Sequence, residues 1–287
     1  MGVAITAPRV PVALTIAGSD SGGGAGIQAD LKTFAALGVH GACAITALTA
    51  QNTVGVSGIL EVPAAFVAEQ IDAVVSDLAV HATKTGMLAT AEIVEVVVAK
   101  VREHRLSPLV VDPVLVATSG DLLMRADAIA VVRNQLLALA AIVTPNLAEA
   151  EALTGQVVDS LAGMREAARR IHALGPAAVV VKGGHLPGGD AMDVFFDGQE
   201  IVEVRRPRLD SPHAHGTGCT FASAIAAGLA LGLGLPSAVG QAKDVVTEAI
   251  RYGLPIGHGH GPANSMAWLY EQAGLLPGPD QYDPRSG

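Results

Sequence analysis

The sequence predicts a single three-layer α/β/α domain with a mostly parallel central sheet. Apolar runs of strand length alternate with segments of helical period along most of the chain. The predicted strands are continuous apolar runs, as parallel strands are when helices cover both faces of their sheet. Because no linker, charge block or internal repeat divides the 287 residues, we treat residues 1–287 as one domain.

The predicted strands recur at intervals that leave room for a helix or a short connection between them. Six short, largely apolar runs have the length that strands take in such sheets. A hairpin follows later in the chain, with strands at 194–196 and 201–204 joined by Asp197 and Gly198, a pair typical of tight turns. The six earlier strands cover residues 12–17, 42–49, 80–84, 109–111, 141–144 and 178–181.

The predicted helices lie between and after these strands, where apolar residues recur with helical period. The last two are rich in alanine and glycine, which favours close packing against the sheet. An eight-stranded (β/α)8 barrel is the alternative architecture, and the late hairpin argues against it. The predicted helices cover residues 27–37, 64–76, 90–104, 126–138, 160–174, 218–232 and 237–252.

Composition and charge exclude several classes of protein. With 18 basic and 27 acidic residues the net charge is −9, which argues against a duplex nucleic-acid binder with a basic face. Two cysteines, Cys43 and Cys219, are too few for a disulfide framework and fit a reducing cytoplasm. The longest uncharged apolar stretch, 221–235, is shorter than the about 20 residues of a membrane span. We therefore expect a soluble cytoplasmic protein with a core near residues 12–262 and a flexible N-terminus and C-terminal tail.

The first candidate binding segment is AGSDSGGGAG at residues 17–26, between the first strand and the first helix. Glycines there allow a ligand to approach the backbone closely and leave helix N-terminal amides open to polar groups. The segment does not match the dinucleotide fingerprint, since Ile27 stands where glycine or alanine is required. It also lacks the Gly-Lys-Ser/Thr sequence of a P-loop. Taken alone, it is either a tight turn or a binding loop.

The second candidate segment is HGTGC at residues 215–219, at the start of another predicted helix. Successive backbone amides at a helix start form a concavity that binds anions. Cys219 there has two interpretations: a thiol partly activated by the helix N-terminus, or a small buried side chain that packs against the core.

Polar side chains also follow several of the predicted strands. Asp112, Asn146 with Glu149, and Lys182 each come directly after a strand. The spacing of Asn146 and Glu149 places both on one face of a helix that starts near Pro145. Ligands of open α/β sheets bind beyond the carboxyl ends of the strands. Hard oxygen ligands and one lysine together predict a site for Mg²⁺ and phosphate groups.

Seven segments in unbroken order carry a family resemblance: residues 16–30, TALTAQNT at 46–53, KTGM at 84–87, DPV at 112–114, TPN at 144–146, KGGH at 182–185 and HGTGC at 215–219. Together they resemble the hydroxymethylpyrimidine/phosphomethylpyrimidine kinases of thiamine biosynthesis, members of the ribokinase-like superfamily. The resemblance implies a ribokinase-like three-layer α/β/α sandwich, commonly a homodimer. It also implies that ATP and Mg²⁺ are used to phosphorylate a hydroxymethyl aminopyrimidine and then its monophosphate.

The resemblance further implies roles for individual residues. These residues form two sets. The first set lines the pyrimidine pocket, and the second set holds the metal, the nucleotide and the transferred phosphoryl group. The pocket residues are Gly18, Ala25, Asp30, Gln51, Met87 and Val114. In the second set, Asp112 and Glu149 are the metal ligands, and the residues toward the nucleotide are Asn146, Lys182 and Thr217. The anion hole and catalytic group consist of Lys182 with Gly216, Thr217, Gly218 and Cys219.

Two of these positions have their own chemical logic. Some members of the family carry Glu where this chain has Gln51, and only an amide can both accept from an amino group and donate to a ring nitrogen. Sugar kinases of the superfamily end the corresponding loop in Asp, a general base, whereas this chain has Cys219. Because phosphoryl transfer depends mainly on positioning and electrostatics, a strong base is dispensable. We hypothesise that Cys219 lets one site accept both an alcohol and a phosphate.

Other interpretations remain open at the level of sequence. Pyridoxal kinases of the same superfamily offer a similar pocket, and a non-catalytic pyrimidine sensor could keep the same pocket without turnover. The spacing of His213 and His215 is compatible with a transition-metal site, but no third clustered ligand supports it. Lys243 could approach the nucleotide, although an exposed helical lysine is the simpler expectation.

Overall fold

We describe residues 10–115, 124–184, 186 and 188–276 from a computed structural model. The predicted flexible ends, in the first residues and from 277 onward, lie outside these ranges. Within the described residues the strands form one nine-stranded sheet, in the order β3-β2-β1-β4-β5-β6-β7-β8-β9. Their bounds are β1 Val12–Asp20, β2 His40–Gln51, β3 Val56–Glu61, β4 Ala82–Thr85, β5 Leu109–Val111, β6 Ile142–Val143, β7 Val179–Lys182, β8 Asp190–Phe196 and β9 Ile201–Pro207.

The sheet is parallel at its centre and antiparallel at both edges. Strands β2, β1, β4, β5, β6 and β7 run parallel, while β3 pairs antiparallel with β2, and β8 and β9 continue antiparallel from β7. The carboxyl ends of the six central strands therefore meet at one edge of the sheet. This confirms the predicted architecture, including the late hairpin.

Helices cover both faces of the sheet and create two apolar cores. The helices are α1 Gly26–Ala36, α2 Ala64–Val75, α3 Ala91–His104, α4 Ala126–Val131, α5 Leu147–Thr154, α6 Leu161–His172, α7 Thr217–Ala230, α8 Leu235–Arg251 and α9 Ala267–Gln272. One core contains Val97 of α3 and Met164 of α6 and lies between the sheet and α2 to α6. The other contains Phe34 of α1 and Ile225 of α7 and lies on the opposite face. None of the described helices is long and apolar enough to cross a bilayer.

Three elements differ from the sequence prediction, and one of them is the short helix α9, Ala267–Gln272, where no helix was predicted. Strand β3 was not predicted, because it lies at the edge of the sheet and most of its side chains are exposed, so no apolar run marks it. The predicted helix at 126–138 is α-helical only over Ala126–Val131. It continues as a π-helical turn at Val132–Leu136 and a 3₁₀ turn at Leu137–Leu139.

The expectation of an exposed helical lysine at position 243 is wrong. Lys243 on α8 is buried, and its ammonium donates to Asp193 Oδ2 on β8 at 2.7 Å. The other oxygen of Asp193 accepts from the amide of Gly183, directly after β7, at 3.0 Å. The lysine thus tethers α8 to the start of the β7–β8 connection.

Candidate active site

The candidate site lies at the edge where the central parallel strands end. Asp20 ends β1, Gln51 ends β2, Asp112 follows β5 and Lys182 ends β7. An isolated bridge joins Asn146, after β6, to Lys182. The parallel pairing of the strands thus brings together side chains that are up to 162 residues apart in sequence.

The centre of this edge is an ion pair between Lys182 and Asp112. The Lys182 ammonium donates to Asp112 Oδ1 at 2.9 Å, and the Thr144 hydroxyl donates to the same oxygen at 2.9 Å. Asp112 is buried, whereas the Lys182 side chain keeps 15% of its surface exposed. Burial opposes the charge on Lys182, but Asp112 and Glu149 outweigh it and raise the pKa of the ammonium above its ordinary value. The lysine is therefore a fixed cation.

Asn146 and Glu149 form the capping box of α5. The Asn146 side chain accepts from the Glu149 amide at 2.9 Å, and Glu149 Oε2 accepts from the Asn146 amide at 2.7 Å. Burial raises the pKa of Glu149 to about 7; nearby Lys182 opposes this shift and Asp112 adds to it. The pair therefore serves the fold of α5 as well as the edge of the site.

The same residues fit a magnesium ion. Asp112 and Glu149 supply the carboxylate oxygens that Mg²⁺ prefers, and their mutual repulsion contributes to the raised pKa of Glu149. A divalent cation would relieve that repulsion. Mg²⁺ commonly keeps several waters and uses only one or two protein carboxylates together with substrate phosphates.

The HGTGC segment forms a loop that opens directly into α7, as the sequence predicted. Gly216 has a φ of 84°, in the left-handed region, and a Cβ there would collide with the carbonyl oxygen of Gly24. A Cβ on Gly218 would lie 3.3 Å from Lys182 Nζ and 3.9 Å from Asp112 Oδ2. The start of α7 therefore lies against the ion pair, with the amides of its first turn beside a fixed positive charge.

Cys219 does not have the activated thiol that one of its two interpretations implied. Burial raises its pKa to about 11, and the neighbouring Lys84 only partly opposes this shift. Asp30 and Asp112 add to the increase, while the Gly26 amide acts in the other direction. The residue is still partly open at its surface. Cys219 is therefore a neutral thiol at physiological pH.

Asp20 organises the glycine segment at the end of β1. Its carboxylate accepts from the amides of Gly22 at 2.8 Å, Gly24 at 3.0 Å and Ala25 at 2.8 Å. Burial alone would raise the pKa of Asp20, but hydrogen bonds from His215 and from the Ala25 and Gly22 amides hold it below its ordinary value. The segment is thus held by one ionised side chain, which the sequence interpretation did not single out.

Gln51 and the HGTGC loop are joined through His215. The ring nitrogen Nε2 of His215 lies 3.3 Å from Gln51 Nε2 and 3.1 Å from Asp20 Oδ2. The sequence interpretation included His215 in the HGTGC segment and weighed it as a metal ligand, but did not find this role. Its partners are 164 and 195 residues away in the chain, so no local pattern could indicate them.

The other predicted pocket residues surround the same strand ends, with one exception. A Cβ on Gly18 would collide with Met87 Cε, so this glycine and methionine lie against each other. Ala25 immediately precedes α1, and Val114 lies in the turn after Asp112. Asp30 differs from the expectation of direct contact with a substrate, because it is completely buried within the described residues.

Asp30 instead belongs to a polar cluster beneath the site. Its oxygens accept from Lys84 Nζ at 2.9 and 3.0 Å, from Thr15 Oγ1 at 2.6 Å and from Ser223 Oγ at 2.6 Å. Burial works against the charge on Lys84, but Asp30 outweighs it, so the pKa of Lys84 lies above its ordinary value. The cluster supports the first turn of α7, where Cys219 lies.

The chain is similar to known proteins over most of its length. Residues 20–264 match the family model for phosphomethylpyrimidine kinase. The chain is 55% identical over 259 residues to the thiamine biosynthesis bifunctional protein ThiED of Geobacter sulfurreducens, covering 90% of this chain but only 53% of that protein. It is 52% identical over 264 residues to the hydroxymethylpyrimidine/phosphomethylpyrimidine kinase of Streptomyces coelicolor, covering 91% of this chain and 97% of that one.

Solved structures show the same fold. The pyridoxal kinase of Staphylococcus aureus in complex with AMP-PCP and pyridoxal is 34% identical, with a TM-score of 0.85. The alignment covers 91% of this chain and 95% of that one. The fold predicted from the sequence is therefore that of vitamin kinases of the ribokinase-like type.

Proposed function

Since this chain belongs to the phosphomethylpyrimidine kinase family and is a phosphotransferase, we propose that it phosphorylates 4-amino-5-hydroxymethyl-2-methylpyrimidine and then the resulting monophosphate. The phosphoryl donor is ATP, and the product of the second step is the diphosphate used in thiamine biosynthesis. The observation that carries the proposal is the Lys182–Asp112 ion pair beside Gly218 at the start of α7. It supplies a fixed cation beside the backbone amides of a helix start, where a phosphoryl group has to be held.

At the phosphoryl end, this chain's own residues bind and orient the group that is transferred. Lys182 neutralises phosphate charge, and the amides of Gly216 to Cys219 donate to the phosphoryl oxygens. Asn146 and Thr217 contact the nucleotide. Asp112 and Glu149 would hold a magnesium ion, which supplies charge neutralisation and orientation of the phosphates when bound.

In the first step the hydroxymethyl oxygen of the pyrimidine forms a bond to the terminal phosphorus of ATP. The bond from that phosphorus to the bridging oxygen breaks, and ADP leaves. The hydroxyl proton passes to a phosphoryl oxygen, because a thiol with a pKa of about 11 already carries its own proton. In the second step an oxygen of the monophosphate takes the place of the hydroxymethyl oxygen, so the site catalyses both transfers by positioning.

At the heterocycle end, Gln51 recognises the amino group and the neighbouring ring nitrogen, since its amide both accepts and donates. Gly18, Met87, Ala25 and Val114 surround the ring. The contact between Gly18 and Met87 supports a narrow slot, because any side chain at position 18 would displace the methionine.

Pyridoxal is the second candidate acceptor. The pyridoxal kinase of Staphylococcus aureus has the same fold and binds AMP-PCP and pyridoxal. Gln51 favours the aminopyrimidine, because pyridoxal offers a hydroxyl and an aldehyde where the pyrimidine offers an amino group. A non-catalytic sensor is the third candidate, and the Lys182–Asp112 pair beside the HGTGC loop argues against it.

We further propose that the protein is a homodimer that acts in the cytoplasm. Leu48 on β2 and Leu60 on β3 are cross-strand neighbours and both are exposed, which supports an apolar contact with a second copy at this sheet edge. Both cysteines lie in the described part of the chain and are free, which supports a reducing compartment.

One assay tests the proposed function. Purified protein is incubated with Mg-ATP and with each acceptor separately, and the products are resolved as monophosphate and diphosphate. We expect both products from the aminopyrimidine, with kcat/KM at least about tenfold above that for pyridoxal. Turnover of pyridoxal alone would establish the second candidate, and turnover of neither acceptor would favour the sensor.

A pair of lysine variants completes the test. Lys182→Ala should lower kcat by about 100-fold or more, because it removes a charge that acts on the transferred group. Lys100→Ala is the matched control, since Lys100 pairs with Asp72 and Glu103 on the surface away from the site. Equal activity of the two variants would contradict the role of Lys182.

A further inference from the structure

A single ring nitrogen of His215 lies between an acid and an amide. His215 Nε2 is 3.1 Å from Asp20 Oδ2 and 3.3 Å from the amide of Gln51, and the histidine side chain is only 12% exposed. Asp20 in turn holds the amides of the glycine segment. Gln51, which the proposed function places against the heterocycle, is thus in contact with the loop that would hold the phosphoryl group.

The hydrogen atoms in this network can be assigned from its chemistry. Asp20 is ionised and can only accept, so the proton between it and His215 lies on Nε2. The Thr49 hydroxyl donates its single proton to the Ser19 carbonyl oxygen at 2.8 Å, which leaves only lone pairs for Gln51 at 3.1 Å. Gln51 therefore lies between a donor at His215 and an acceptor at Thr49.

Only one orientation of the Gln51 amide satisfies both neighbours. In the structure the amide oxygen of Gln51 is nearer Thr49 and the amide nitrogen is nearer His215. The amide oxygen then faces the lone pairs of Thr49, and the NH₂ group faces the N–H of His215, so acceptor meets acceptor and donor meets donor. After half a turn of the amide, its oxygen shares the single Nε2 proton of His215 with Asp20, and its NH₂ group donates to Thr49. Oxygen and nitrogen occupy nearly the same volume, so this turn requires no other movement.

We propose that His215 is a positioning residue that, held by Asp20, turns the amide oxygen of Gln51 toward itself and thereby fixes which way round the heterocycle binds. The inference rests on the proposed function. The second lone pair of the Gln51 amide oxygen accepts a hydrogen bond from the amino group of the heterocycle, on the His215 side. The second proton of the Gln51 NH₂ group donates to the ring nitrogen of the heterocycle, on the Thr49 side.

This orientation has a consequence for catalysis. In the pyrimidine the hydroxymethyl group is attached next to the amino group and away from the ring nitrogen. An amino group on the His215 side places the hydroxymethyl group toward the loop from Gly216 to Cys219. The opposite orientation would turn the hydroxymethyl group away from that loop. His215 therefore sets both the selectivity for an aminopyrimidine and the direction of its reactive oxygen.

Two amide variants of His215 test the proposal. The side-chain nitrogen of Gln can take the place of Nε2, whereas that of Asn is too short and corresponds to Nδ1. We expect His215→Asn to weaken binding of the aminopyrimidine about tenfold or more and His215→Gln to restore most of the loss. Binding is measured by calorimetry without ATP, and KM and kcat are measured for aminopyrimidine, pyridoxal and ATP.

The readouts separate positioning from a structural role. We expect the KM for ATP to be nearly unchanged in both variants, and the preference for aminopyrimidine over pyridoxal to fall about tenfold in His215→Asn only. Equal losses in the two variants, or equal losses for both acceptors, would overturn the proposal. If His215→Asn does not fold, as judged by circular dichroism, Thr49→Val tests the other end of the amide and should show the same loss of preference.

The same experiment distinguishes failure of the inference from failure of the proposed function. If the wild-type protein binds the aminopyrimidine in the calorimeter but does not phosphorylate it, the proposed function is refuted. The binding affinities of the two His215 variants then still test the role of His215. A wild-type protein that phosphorylates both acceptors, with variants that keep the same preference, would refute the inference alone.

Discussion

At the scale of single residues, the neutral thiol of Cys219 separates this site from one with a general base. Burial raises the pKa of the thiol most, Lys84 opposes this shift, and Asp30 and Asp112 add to it, so the surroundings on balance disfavour a negative charge at position 219. A phosphate acceptor in the second transfer brings more negative charge to the same place. A thiol tolerates that acceptor, whereas a carboxylate at position 219 would repel it.

We therefore predict that Cys219→Asp lowers kcat/KM for the second transfer more than for the first, by about a further tenfold. The reason is repulsion between two nearby negative charges, which is worth at least about 1.4 kcal/mol in a partly buried site. Steady-state kinetics with the alcohol and with its monophosphate as separate acceptors provide the measurement.

Cys219→Asn is the matched control for this prediction, since it has the shape of Asp without its charge. It should reduce both transfers to a similar extent. If Cys219→Asp also reduces both transfers equally, charge at this position does not explain the choice of cysteine.

At the scale of secondary-structure elements, the buried Asp30–Lys84 pair joins four elements beneath the site. Thr15 comes from β1, Asp30 from α1, Lys84 from β4 and Ser223 from α7. Ser223 lies one helical turn after Cys219, so the pair supports the start of α7 directly. Both charged side chains are fully buried, and each depends on the other.

We predict that Lys84→Met lowers the free energy of unfolding by about 3–5 kcal/mol, because it leaves the Asp30 charge buried without its counter-ion. Urea unfolding followed by circular dichroism measures the change. The double variant Asp30→Asn with Lys84→Met should recover most of the loss, since an amide still bonds Thr15 and Ser223 without a charge. A double variant as unstable as the single one would contradict this account.

The elements also show how far the sequence could predict the fold and the site. Buried central strands were visible as apolar runs, and β5 was found with its observed bounds, Leu109–Val111. β3 was not visible because exposure at a sheet edge removes the apolar signal. Asp112 and Lys182 could be placed together because parallel topology carries strand ends to one edge. His215 could not be placed, because contacts between loops depend on tertiary packing that no local pattern records.

At the scale of the whole molecule, the two apolar cores share the strands that separate them. On β5, Leu109 and Val111 face one core and Val110 faces the other. On β1, Leu14 and Ile16 belong to the first core and Ala13 to the second. One face of the sheet cannot lose its helices without exposing strands that the other core needs, so the layers should unfold together.

We predict a single cooperative transition in urea, with the same midpoint for fluorescence and for far-UV circular dichroism. The only tryptophan of the sequence, Trp268 on α9, packs against the second core and reports that layer. A variant with Trp268→Phe and Phe66→Trp moves the probe to α2 on the opposite face, where Phe66 is 54% exposed. Because the shared sheet couples the layers, the fluorescence midpoint of each protein should equal the midpoint from the far-UV circular dichroism of the same protein. Two separated midpoints would show that the layers are independent units and that residues 1–287 are not a single domain.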